Sequence, residues 1–136
     1  MNKITTRVYF SDTDAVGVVY HANYLDFAER ARTEVSRMHG VDIVLLAKKG
    51  EFFVVRSANL DYLAPAKLDD LLEIEVSVTN FGKTSMEVLH KISNAETKKE
   101  LCKVVCLLVF VSNKDGVIKP IEIPSEIKAC FQKLVA

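Results

Sequence analysis

The chain has 136 residues, 49% hydrophobic and 26% charged, so we expect one globular domain spanning residues 1–136. Eighteen basic and eighteen acidic residues cancel, which argues against nucleic acid or an anionic membrane surface as the main partner. The sequence has no apolar signal segment and no run of about 18 apolar residues, so we expect a cytoplasmic location without stable membrane insertion.

The first 40 residues predict a strand followed by a long helix. Residues 4–10, ITTRVYF, have the composition of a short strand. Asn23 is a favourable N-cap and Gly40 a favourable residue just beyond a helix end, which predicts a helix of about 16 residues between them. Apolar residues recur with helical spacing in this segment: Tyr24, Phe27, Ala28, Ala31, Val35 and Met38.

The remaining residues predict strands that follow one another in an antiparallel sheet. A loop with a short helical turn occupies 41–50, and strands are predicted over 52–63, 71–81, 84–94 and 101–112. The strand 101–112 is apolar on both faces, so it should lie centrally in the sheet. One segregated helix beside a run of such strands indicates the α+β class.

Two further features are predicted after the last of these strands. Asp115-Gly116 marks a turn, and the tail 124–136 has apolar residues at helical spacing, at Ile127, Phe131 and Leu134, which predicts a short C-terminal helix. The three cysteines, Cys102, Cys106 and Cys130, include no Cys-x-x-Cys pair. We interpret them as small buried hydrophobic residues in a reducing compartment, without a metal or redox role.

The stretch DTDAVGVVYHANY, residues 12–24, is the main candidate for chemistry. The start of a helix exposes N–H groups and partial positive charge, which favour a developing oxyanion, and a carboxylate can attack a carbonyl or activate water. Asp12 and Asp14 are the acids in this segment, whereas no Gly-x-Ser-x-Gly sequence is present and the three histidines are scattered. Taken alone, these residues fit an ordinary turn ahead of a helix better than an active site.

Two longer blocks alter that interpretation. RVYFSDTDAVGVVYHANYLDFAERARTE, residues 7–34, closely resembles the signature of the hotdog-fold thioesterases of the 4-hydroxybenzoyl-CoA thioesterase family. It is most similar to the Tol–Pal-associated acyl-CoA thioesterases, as is DYLAPAKLDDLLEIEV, residues 61–76. The resemblance covers nearly the whole chain and weakens in 41–50 and after residue 113. It implies a hotdog fold, a curved antiparallel sheet of about five strands wrapped around one long central helix, with the short C-terminal helix added.

The resemblance also implies roles for four residues of the loop. Asp14 corresponds to the catalytic carboxylate, which acts as nucleophile or general base on the thioester. The backbone N–H of His21 corresponds to the group that polarises the thioester carbonyl, while its side chain either takes part in catalysis or is a polar loop residue. Gly17 would shape the substrate site, or serve as a plain turn glycine, and Tyr20 would form a pocket wall.

Other polar residues have weaker claims. Arg56 and Lys83 are candidates for binding the phosphates of CoA, with simple surface charge as the alternative. Asp61 and Tyr62, in the second block, line the site or support the structure, and structural support is the better interpretation. We interpret His39 and His90 as structural. The remaining charged residues of the first block form a solvated or inter-subunit salt-bridge set outside the active site: Glu29, Arg30 and Arg32.

The function that follows from the resemblance is hydrolysis of an acyl-CoA or acyl-carrier-protein thioester, without metal or other cofactor, by a homodimer or homotetramer. One alternative is a hotdog hydratase or dehydratase, but the Asp/His motif of those branches is absent. A second alternative is a non-catalytic acyl-thioester-binding or lipid-synthesis scaffold protein. Asp14 argues against it, because a binding protein needs no carboxylate beside an electrophile.

Overall fold

An antiparallel sheet forms most of the structure, a computed structural model that describes residues 1–136. Its five main strands lie in the order β1-β3-β4-β5-β2, and a short β6 pairs with the end of β5, so the predicted central place of β5 is confirmed. No helix of the structure has the length and apolar character needed to cross a membrane. The strands are β1 (Lys3–Arg7), β2 (Glu51–Tyr62), β3 (Leu71–Phe81), β4 (Ser85–Asn94), β5 (Glu100–Lys114) and β6 (Val117–Pro120).

Three helices accompany the sheet: α1 (Asn23–Met38), α2 (Ile43–Lys48) and α3 (Ser125–Gln132). The apolar stripe of α1 packs into the concave face of the sheet, and its buried residues join one core cluster with the inward-facing residues of β3, β4 and β5. Phe27 from the helix and Phe110 from β5 are among the largest fully buried side chains. The α+β class and the curved sheet around one long helix are confirmed.

The ends of α1 differ in how well the sequence predicts them. Gly40 has φ +89, and Val41 and Gly40 donate N–H bonds to the carbonyls of Ser36 (2.9 Å) and Arg37 (3.1 Å), so the predicted stop is confirmed as a Schellman motif. The predicted cap at Asn23 is wrong. Ala22 holds that position without a side-chain cap, because the Asn23 amide donates to Oδ1 of Asp12 at 3.1 Å.

Two strand predictions also need correction. The first strand ends at Arg7 instead of residue 10, because Phe10–Asp12 form a 3-10 turn in which the Tyr9 N–H donates to Oδ2 of Asp12 at 2.9 Å. The sequence did not predict β6, whose four residues are exposed and end at a proline, although the Asp115-Gly116 turn ahead of it is confirmed. Cys102 and Cys106 are buried as predicted, whereas Cys130 is only half-buried, and all three thiols are free.

The edge strand β2 leaves part of the concave face uncovered. It pairs only with β5, and its inward-facing Val55, opposite the buried Leu108, is 52% exposed because α1 lies over the other strands. Ala58, opposite Cys106, is exposed as well. Inward-facing apolar side chains of β2 are therefore exposed beside α1, and we call this open surface the α1–β2 trench.

Candidate active site

Asp12 is the residue that fastens the loop between β1 and α1. The residue is 7% exposed; its side chain accepts hydrogen bonds from the Tyr9 N–H and the Asn23 amide, and its backbone carbonyl accepts one from the Tyr20 N–H at 2.9 Å. These three bonds link the end of β1 to the start of α1. Asp12 thus has a structural role as a turn residue.

Asp14 lies in the exposed part of the same loop. Its Oδ1 accepts hydrogen bonds from the backbone N–H groups of Val16 at 2.8 Å and Val18 at 3.4 Å, whereas Oδ2 accepts none from the protein. Gly17, with φ +90, closes the turn by donating its N–H to the Asp14 carbonyl at 3.1 Å. The turn therefore holds the carboxylate in one orientation and leaves one oxygen free at the surface.

The start of α1 offers unpaired hydrogen-bond donors. No atom of the chain accepts a bond from the backbone N–H of His21, and the helix has no side-chain cap. The His21 carbonyl accepts a bond from the Tyr62 hydroxyl at 2.9 Å, which ties the helix start to the end of β2. The free N–H groups and the helix dipole favour an anion or a developing oxyanion at this point.

A cavity of about 300 Å³ opens beside these donors. The Tyr24 ring meets the Tyr62 ring edge-on at 5.6 Å, and the Tyr24 hydroxyl accepts a bond from the Ala66 N–H at 3.3 Å. Burial raises the pKa of Tyr24, and desolvation also raises the pKa of Tyr62, so both hydroxyls stay protonated at neutral pH. The lining is mainly apolar: Val19, His21, Tyr24, Tyr62, Leu63, Ala64 and Pro65.

Four of the six predicted site residues lie in one loop: Asp14, Gly17, Tyr20 and His21. The Tyr20 and His21 rings are exposed and stack at a tilt, with centroids 4.4 Å apart. The structure describes no group of three His, Cys, Asp or Glu side chains placed to bind a metal ion.

The two predicted CoA-phosphate residues lie apart from this loop within one chain. Arg56 is the extra residue of a bulge in the middle of β2, and it is exposed. Lys83 lies in the turn between β3 and β4, near Phe110, whereas Tyr62 lies opposite Cys102. Phe110 and Cys102 are eight residues apart on β5, which corresponds to about 27 Å at the rise of an antiparallel strand.

Two residues, Tyr62 and Arg32, make contacts that the sequence did not indicate. Tyr62 lines the cavity and fixes the His21 peptide, and its place in the block DYLAPA was the signal that pointed to it. Arg32 is not part of a salt-bridge set within its own chain. It forms no ion pair, and its Nη1 lies 3.1 Å from Nε2 of the fully buried His90.

Known proteins have sequences and folds similar to those of this chain. Residues 8–131 match the Thioesterase-like superfamily. The acyl-CoA thioester hydrolase YbgC of Escherichia coli O6:H1 is 43% identical over 127 residues, covering 93% of this chain and 92% of that protein. The acyl-CoA thioesterase YbgC of Haemophilus influenzae is 42% identical over 131 residues, covering 94% and 92%.

Solved structures give the same fold. A probable thioesterase from Bartonella henselae superposes with a TM-score of 0.81 at 34% identity, covering 90% of this chain and 98% of that one. A 4-hydroxybenzoyl-CoA thioesterase variant complexed with 4-hydroxybenzoyl-CoA superposes with a TM-score of 0.87 at 20% identity, covering 95% and 96%. The chain therefore belongs to the thioesterase-like superfamily, has the hotdog fold, and is a member of the family of the YbgC acyl-CoA thioesterases.

Proposed function

We propose that this protein hydrolyses acyl-CoA thioesters at the cavity between the start of α1 and the end of β2. The observation that carries the proposal is the pairing of an oriented carboxylate that has one free oxygen, Asp14, with the unpaired N–H of His21 in the same loop. Acyl transfer needs both parts, a nucleophile or base and a donor for the developing oxyanion.

In the proposed reaction the thioester carbonyl oxygen accepts the His21 N–H, and the dipole of α1 stabilises the negative charge that develops on it. Oδ2 of Asp14 either attacks the carbonyl carbon, forming an anhydride that water then opens, or takes a proton from an attacking water. In both routes the C–S bond breaks, the CoA thiolate leaves and takes up a proton, and the acyl group is released as a carboxylic acid. The His21 side chain is exposed and available for proton transfer.

The acyl group would occupy the α1–β2 trench. The trench starts at the cavity beside Tyr24 and Tyr62 and continues past Ala58 and Val55, whose inward-facing side chains α1 leaves exposed. Each methylene buried there stabilises the complex by about 0.8 kcal/mol. Burial of the acyl chain in the trench therefore favours the orientation that places its carbonyl beside His21.

A homodimer is part of the proposal, as is a tetramer built from it. The uncovered edge of β2 has free backbone groups that can pair with the same edge of a second copy. Antiparallel pairing would place the Lys83 end of one sheet next to the Tyr62 end of the other. Neither Arg56 nor Lys83 lines the cavity of its own chain. We therefore expect Arg56 and Lys83 of the second copy to bind the phosphates of a CoA that occupies the cavity of the first.

The test is release of free thiol from a panel of acyl-CoA and acyl-carrier-protein thioesters. Thiol release that follows saturation kinetics supports the proposal. The ratio of kcat/KM for acyl-CoA and acyl-carrier-protein substrates shows which donor the protein uses. Binding without turnover would favour an acyl-thioester-binding scaffold in the cytoplasm. Loss of a double bond in an enoyl-CoA without thiol release would favour a hydratase.

We expect Tyr62→Phe to lower kcat/KM about fivefold, because one hydrogen bond of about 1 kcal/mol holds the His21 peptide that presents the N–H. Tyr9→Phe is the matched control, since the exposed Tyr9 hydroxyl makes no hydrogen bond and lies outside the cavity. Steady-state kinetics on one acyl-CoA measures both variants. Equal kcat/KM for Tyr62→Phe and Tyr9→Phe would remove the positioning role of Tyr62.

A further inference from the structure

Arg32 is the charged residue of α1 that points into the protein. Its Nη1 lies 3.1 Å from Nε2 of His90, a side chain of β4 with 0% exposure. Nδ1 of His90 lies 2.9 Å from the carbonyl of Val104, which can only accept a hydrogen bond, so Nδ1 carries the proton and Nε2 accepts from Arg32. Burial lowers the pKa of His90 to about 4, so a neutral imidazole holds the guanidinium.

The positive charge of Arg32 has no counter-ion in the chain. No carboxylate lies within 4.0 Å of its guanidinium, although Glu29 and Glu51 line the same cavity. Burial lowers the pKa of Arg32, which reflects the same loss of hydration. A partly buried cation without an ion pair is unfavourable, and it becomes more so when apolar groups displace its remaining water.

The cavity beside Arg32 lies along the α1–β2 trench. Its volume is about 130 Å³, and its apolar walls include Phe52, Phe53 and Leu108, the last of which lies opposite Val55 of the trench. Tyr24, at the catalytic end, and Arg32 are eight positions apart on α1, which corresponds to about 12 Å along the helix axis. An extended acyl chain needs about ten to eleven carbons to cover that distance, since each C–C bond of about 1.5 Å advances it by somewhat less than its length.

We propose that Arg32 determines acyl-chain specificity by setting an upper limit of about ten to eleven carbons on saturated chains. The inference rests on the proposed thioesterase function. Shorter chains fill the apolar trench and stop before the guanidinium, whereas longer chains strip its hydration. His90 is a positioning residue in this arrangement, because it fixes where the guanidinium stands.

A series of saturated acyl-CoA substrates from two to eighteen carbons tests this limit. For the wild type, kcat/KM should rise by up to about fourfold per methylene until about ten to eleven carbons and then fall. Arg32→Met, which replaces the cation by an apolar side chain, should move the optimum to chains several carbons longer. Arg32→Lys keeps the charge and should keep the limit. Arg30→Met, at an exposed position of the same helix, is the matched control and should leave the profile unchanged.

Several outcomes would overturn the inference. A wild-type profile that stays flat, or keeps rising to eighteen carbons, excludes a limit at Arg32 even if Arg32→Met does not fold. A uniform loss of kcat/KM across all chain lengths in Arg32→Met would show a merely structural role, and Arg32→Gln, which is neutral and polar, checks the same point with a smaller change. Absence of thiol release from every substrate would instead contradict the proposed function itself.

Discussion

Asp14→Asn should lower kcat for acyl-CoA hydrolysis by roughly 10²- to 10⁴-fold while KM changes little. The amide can neither attack the carbonyl nor accept a proton from water. Its oxygen can still accept the bonds from the N–H groups of Val16 and Val18, so the turn should persist. Thiol release under saturating substrate measures kcat, and thermal unfolding checks that the fold is unchanged.

Asp42→Asn is the matched control for this substitution. The Asp42 carboxylate caps α2 by accepting bonds from the N–H groups of Val44 at 2.9 Å and Leu45 at 3.3 Å, in a geometry like that of Asp14. The same chemical change there should leave kcat close to that of the wild type. If Asp14→Asn retained wild-type kcat, Asp14 would be only a turn residue and another group would activate the nucleophile.

The second large effect concerns the pH dependence of stability. His90 has 0% exposure, and burial lowers its pKa to about 4 from an ordinary value of about 6.5. The unfolded chain therefore binds a proton that the folded protein does not between these two values. The neutral imidazole contributes stability that is fully present above pH 6.5 and is lost as the pH falls toward 4, by about 3 kcal/mol in total.

Urea unfolding at a series of pH values between 4 and 7 measures this loss, and His90→Gln should flatten the dependence. A glutamine can donate to the Val104 carbonyl and accept from Arg32, so it preserves the bonding pattern without titrating. His39→Gln, at the end of α1, is the control and should retain the wild-type dependence. An unchanged pH dependence in His90→Gln would assign the acid sensitivity to other groups.

The features that the sequence predicts best depend on residues close together in the chain. The period of the apolar residues defines α1, Gly40 ends it, and the two apolar faces of β5 indicate its central place, because burial on one or both faces follows directly from local pattern. The loop of Asp14 and His21 was found through resemblance. Its local residues alone fit an ordinary turn.

What the sequence does not reveal depends on pairings over long separations. Asn23 fits a helix cap until the structure brings it to Asp12, eleven positions earlier, and Arg32 fits a surface ion pair until it meets His90, fifty-eight positions away. Lys83 and Tyr62 fall at opposite ends of the sheet because of the strand order. No local propensity encodes these distances, since they follow from how the whole sheet curves around α1.

The bulge at Arg56 changes which residues of β2 face inward. Before the bulge the odd-numbered residues Phe53 and Val55 face inward, and after it the even-numbered Ala58 and Tyr62 do. β2 therefore consists of two halves, with odd-numbered residues facing inward in the first and even-numbered residues in the second, and Arg56 lies between them. Loss of Arg56 would give both halves the same alternation and leave both sets of side chains facing the trench.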